Sequence, residues 1–104
     1  MIFERYTGES IEREITVLDK ETNEVADLSG AIAKFKCVSR ADATSIMLEK
    51  ECVIASNVVS FTLGSAETQT AGDFIYEMKL KLGSKESVLD RGEIHLKQSL
   101  ITEI

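Results

Sequence analysis

Between Phe74 and Leu82 the even positions read Phe, Tyr, Met, Leu, Leu, while the odd positions read Ile, Glu, Lys, Lys. Side chains leave a β-strand on alternate sides, so a period of two marks a strand with one buried and one wet face. The pattern recurs along most of the chain. Ile11, Ile15 and Val17 stand opposite Glu12, Glu14 and Thr16; Ala33, Phe35 and Cys37 opposite Lys34 and Lys36; Val59, Phe61 and Leu63 opposite Ser60 and Thr62. The segment from Ser45 to Ile54 is less regular but β-capable. From Ser87 to Leu100 the alternation is interrupted at Gly92, which predicts a bulge that lets Ile94 and Leu96 point inward.

Polar turns separate these segments: a run ending in Gly30, a tight turn at Asn57 and another at Gly83. Only Gly64 to Gly72 resists a strand reading, and its small polar residues suit one helical turn crossing between sheets. Strands every ten or so residues predict an all-β fold, two antiparallel sheets packed face to face as a β-sandwich of about seven strands. A small closed barrel is the alternative.

A chain of 104 residues is expected to be a single domain spanning 1–104. Hydrophobic residues make up 43% and charged residues 29%, a globular balance rather than a disordered one. Proline, a common guard of exposed sheet edges, is absent, which leaves that task to Glu12, Glu14, Lys79 and Lys81. The net charge is -6, concentrated in residues 1–30, where eight acids face three bases. No segment carries the basic footprint that nucleic-acid binding needs, so no nucleic-acid partner is expected. No apolar run approaches the ~20 residues of a membrane helix, and Glu4 and Arg5 interrupt any signal-peptide core. Synthesis in a reducing cytoplasm is the expectation, with Cys37 and Cys52 free unless their strands prove to be neighbours.

Catalytic equipment is sparse. His95, the one histidine, alternates with Glu93 and Lys97 on a polar strand face and has no soft ligand at useful spacing. Glu12/Glu14 and Glu49/Glu51 are carboxylate pairs on wet strand faces, without the cleft that would drive their pKa values apart. Asp19, Glu21 and Asn23 resemble the start of a calcium loop, but Glu24 replaces the required glycine and Gly30 stands where a bidentate glutamate belongs. No enzyme activity and no cofactor is expected. Surface is what remains. Ile2, Phe3 and Tyr6 at one end and Leu100, Ile101 and Ile104 at the other are apolar residues outside the clearest strands. They either complete the sheets or form interface arms, at 1–7 and 98–104, that add to a neighbouring subunit.

Gly8, Glu9 and Ser10 form a Gly-Asp-Thr-like start, and Asp27, Leu28, Ser29, Gly30 and Ala31 an Asp-Leu-Thr-Gly-Ala-like step into the next strand. Thr68, Thr70, Gly72, Phe74 and Tyr76 form a threonine-rich crossing followed by a Gly-x-Tyr-x-Tyr-like pattern, and the closing segment carries Gly92. In order and spacing, these segments resemble small immunoglobulin-like domains of tailed bacteriophages, including the N-terminal domain of the phage baseplate upper protein family. The similarity spans roughly residues 7 to 97. Phe74 departs from it, standing where such folds often have a tyrosine whose hydroxyl pins a corner. The resemblance implies an immunoglobulin-like sandwich of seven to eight strands in a virion component of the baseplate or tail-fibre region. Its partners would be other virion proteins or further copies of itself, with Ile75 a candidate contact. Capsid decoration protein, neck protein and carbohydrate-binding module are the alternatives.

Overall fold

A computed structural model describes residues 1–18 and 27–101. Among the described residues eight strands form two sheets: β1 (Ile2–Tyr6), β2 (Ile11–Thr16), β3 (Ile32–Ser39), β4 (Ile46–Glu51), β5 (Val53–Ala55), β6 (Val58–Leu63), β7 (Gly72–Leu82) and β8 (Lys85–Lys97). The large sheet runs β1-β8-β7-β3-β4 and the small sheet β2-β6-β5. This is the strand distribution of an immunoglobulin-like sandwich, with a first strand moved onto the sheet that holds the chain's last two strands. The pairings among these eight strands are antiparallel except β1 with β8, which is parallel.

The alternation read from the sequence is the burial found in the fold. Ala33, Phe35 and Cys37 of β3, Val59, Phe61 and Leu63 of β6, and Phe74, Tyr76, Met78 and Leu80 of β7 are buried, along with Ile94 and Leu96. Aromatic rings tie the two sheets together. Phe61 of the small sheet stacks on Phe35 of the large one with centroids 4.3 Å apart, and Tyr76 lies 5.5 Å from Phe61. Each such pair contributes about 0.5–1.5 kcal/mol beyond its buried area.

Two segments carry the chain between sheets. At Cys52 the chain leaves the large sheet for the small one, its amide donating to the Ala33 carbonyl at 2.9 Å. Between β6 and β7 a single 3-10 turn (Ser65–Glu67) makes the crossing expected between Gly64 and Gly72. There the Gly64 amide donates to Glu67 Oε1 at 3.0 Å, and the fully buried Thr68 donates from Oγ1 to the Glu9 carbonyl at 2.8 Å. The hairpin from β7 to β8 turns at Gly83, whose φ of +64° is a conformation that favours glycine.

Two expectations need correction, and one open choice is decided. The bulge of β8 lies at Leu89, where Met78 pairs with Asp90 but Lys79 pairs with Val88. Gly92 stays in register opposite Tyr76 and serves close approach instead: a Cβ there would run into the Met1 carbonyl and stand 2.8 Å from Tyr76 Cε2. Of the two readings of residues 1–7, sheet completion holds: residues 2–6 form the edge strand β1, continued by the Thr7 amide donating to the Lys97 carbonyl at 2.8 Å. Phe3 is no surface contact. It is 3% exposed, with its ring 5.9 Å from that of Tyr76 and 6.5 Å from that of Phe61, because the inward side of β1 closes the core over Ile94.

Candidate interaction surface

The outward side chains of the large sheet fall into rows set by strand register. One row runs Ile2, Glu93, Ile75, Val38, Ile46 across all five strands. Four of its five members are apolar. Ile2 is 59% and Ile46 51% exposed, while Ile75 and Val38 are half-buried by their neighbours. Glu93, the acid within the row, is engaged by Arg40 Nη1 at 3.1 Å. An apolar line along the outer face of a sandwich has no use in the core, which lies on the other side of the sheet.

Charges flank this line on both sides. One neighbouring row reads Arg91, Glu77, Lys36, Glu49, alternating in sign at every strand. Arg91 Nη1 reaches Glu77 Oε2 at 3.9 Å. The long side chains stand around a shallow trough of about 350 Å³ lined by Ile75, Val38, Lys36, Glu49, Glu77 and Arg91 among others, with Ala43 of the β3–β4 connection at its border. On the other side His95 Nδ1 lies 2.7 Å from Asp73 Oδ1, and His95 Nε2 lies 3.9 Å from Glu93 Oε2. His95 is thus on the polar face, as its phase requires, but half-buried and partnered rather than free.

The outer face of the small sheet is different. It presents Glu12, Glu14, Thr16, Ser60 and Thr62, an acidic and hydroxylic surface, with Val53, Ala55 and the half-buried Val58 toward its β5 edge. Of the candidate contacts read from the sequence, Ile2, Ile75 and Tyr6 share the outer face of the large sheet, Tyr6 at the far end of β1 opposite Lys97. Leu100 and Ile101 are exposed where the chain leaves β8, held near β1 by the Ser99 amide donating to Thr7 Oγ1 at 3.0 Å. Ile104 and the calcium-like residues Asp19, Glu21, Asn23 and Glu24 lie outside the described residues.

A second polar group escaped the sequence reading because it faces inward. Arg13 sits in phase with the buried Ile11, so its side chain enters the gap between sheets and donates from Nε to Asp90 Oδ2 at 3.1 Å. Tyr76 Oη donates to the same oxygen at 2.7 Å. Burial alone would raise the Asp90 carboxyl, but the hydrogen bonds from Tyr76 and Arg13 and the guanidinium charge outweigh it and hold the pKa below the usual carboxylate value. The signal was present in the phase of Arg13 on its strand; its partner, three quarters of the chain away, was not.

The remaining groups have little reactivity. Cys37 and Cys52 are both free thiols. Burial pushes Cys37 up to about 12 and Cys52 to about 11, which suppresses the nucleophilic thiolate. Among the described residues no group of three or more His, Cys, Asp or Glu side chains converges to hold a metal ion.

No protein-family model matches the chain, and no curated protein matches it.

Proposed function

We propose that this chain is a non-enzymatic structural or adaptor subunit of a bacteriophage virion, in the baseplate or tail-fibre region, and that it works through the outer face of its large sheet. The observation that carries the proposal is the apolar row Ile2, Ile75, Val38, Ile46, bordered by ordered ion pairs on a surface that the fold does not need for its own core. An apolar centre with a polar rim is the anatomy of a protein contact. The choice of particle rests on the ordered resemblance of Gly8–Ser10, Asp27–Ala31 and Thr68–Tyr76 to phage immunoglobulin-like domains.

Carbohydrate binding is less favoured. Sugar recognition by sandwiches uses exposed rings, and Phe3, Phe35, Phe61, Phe74 and Tyr76 are all buried, leaving Tyr6 alone at 53% exposure. The test is composition: particles released from a host that carries the gene are purified, and the chain is sought in them by mass spectrometry and antibody labelling. Multiple copies at the tail end are expected. Particles that assemble without the chain, or a chain found only in the cytoplasm, would refute the assignment.

A further inference from the structure

The row Arg91, Glu77, Lys36, Glu49 reads plus, minus, plus, minus across β8, β7, β3 and β4. Such a row is complementary to itself when turned end for end. From this we propose that the outer face of the large sheet binds a second copy of this chain, about a two-fold axis that runs parallel to the strands between β7 and β3. The inference rests on the reading of this face as an assembly surface and names its partner.

That axis places Arg91 against Glu49 of the partner subunit and Glu77 against Lys36 of the partner subunit, each contact occurring twice as a two-fold requires. In the adjoining row it sets Ile75 against Val38 of the partner subunit, so the apolar centre is shared. Glu93, already paired with Arg40 at 3.1 Å, comes opposite Ile46 of the partner subunit with its charge balanced. An axis across the strands fails the same comparison, because it brings Glu77 toward Asp73 and Lys36 toward Arg40 of the other copy. Like charges then meet on both central strands. One feature opposes close contact along the whole face: in the next row Lys79 would face Lys34 of the partner subunit. These lysines lie toward the end of the patch, where twisted sheets diverge and flexible stems lift ammonium groups into water, and Lys79 has Glu86 within 3.7 Å.

Size points to a weak, concentration-dependent dimer. The four strands that overlap under this axis, about 4.8 Å apart, and four rows about 7 Å apart make a patch of roughly 19 by 20 Å on each copy, under ~1,000 Å² in total and so the size of a weak, reversible contact.

The experiment is sedimentation equilibrium on the purified chain with a charge-swap cycle. The unmodified chain is expected to show a monomer–dimer equilibrium. Arg91→Glu and Glu49→Arg are each expected to weaken dimerisation at least tenfold, and the double variant to recover most of the loss. Within one subunit these residues are three strands apart, about 14 Å, so recovery reports a contact between copies. Ile75→Asp should abolish the dimer, and Arg91→Ala serves if a charge reversal disturbs folding. A monomer up to millimolar concentration, singles without effect, no recovery in the double, or open-ended oligomers would each overturn the proposal. Failure here differs from failure of the virion assignment: a strictly monomeric chain found in particles overturns the dimer alone, and a dimer absent from particles overturns the particle alone.

Discussion

Asp90 accepts from both Tyr76 and Arg13 across the gap between sheets, and its side chain is 13% exposed. Its folded pKa lies below the unfolded value of about 3.9. The folded chain therefore holds that proton less tightly, so the stabilisation is complete above the unfolded value and is lost as pH falls through the folded one. Asp90→Asn should lower stability at neutral pH by about 1.5–3 kcal/mol, the range for hydrogen bonds to a charged group. Thermal unfolding across pH checks this: the gap between variant and parent should narrow on acidification below pH ~4. A gap constant with pH would mean that Asp90 acts through shape rather than charge. Cys37 gives a second prediction at this scale. Buried, with its thiol pushed up to about 12, it should react with a disulfide reagent only as fast as the protein unfolds, whereas the half-buried Cys52 should react sooner. Timed labelling followed by peptide mapping distinguishes the two.

At the scale of the element, β1 depends on a residue far from it in sequence. The Glu93 amide donates to the Met1 carbonyl at 2.9 Å, and Gly92 has no Cβ to obstruct that approach. Gly92→Ala should push β1 off β8 and cost about 1–3 kcal/mol, the usual penalty of overpacking. Unfolding in denaturant reads the cost, and faster amide exchange along β1 than along β3 locates it. Equal acceleration at both strands would contradict the local cause. The same region marks the limit of what the sequence reveals. Period-two alternation placed the inward faces of β3, β6 and β7 correctly, since burial on one side of a strand is written in the strand's own residues. The parallel docking of β1 and the bulge at Leu89 depend on which strand lies alongside, and no local pattern encodes that. Phe3 was misplaced for this reason: its phase within β1 has meaning only once β1 is known to close the core. Ile75 could be singled out from its own strand, whereas Val38 and Ile46 become its neighbours only through the register of three strands.

For the molecule as a whole, the two outer faces differ. The small sheet presents acids and hydroxyls beside Val53, Ala55 and Val58, and the large sheet presents an apolar line between charged rows. Because the flanking contacts are ionic, added salt should weaken self-association through this face, as the Debye length shrinks from about 10 Å at 0.1 M to about 3 Å at 1 M. Sedimentation at both salt levels measures the effect, and association that strengthens with salt would point to apolar contact alone. The most direct test of the account is an amide NMR spectrum followed from dilute to millimolar chain. Shifts and broadening should gather at Lys36, Val38, Ile75, Glu77 and Arg91 and leave Glu12, Glu14, Ser60 and Thr62 unchanged. Changes confined to the small sheet, or a spectrum indifferent to concentration, would contradict it.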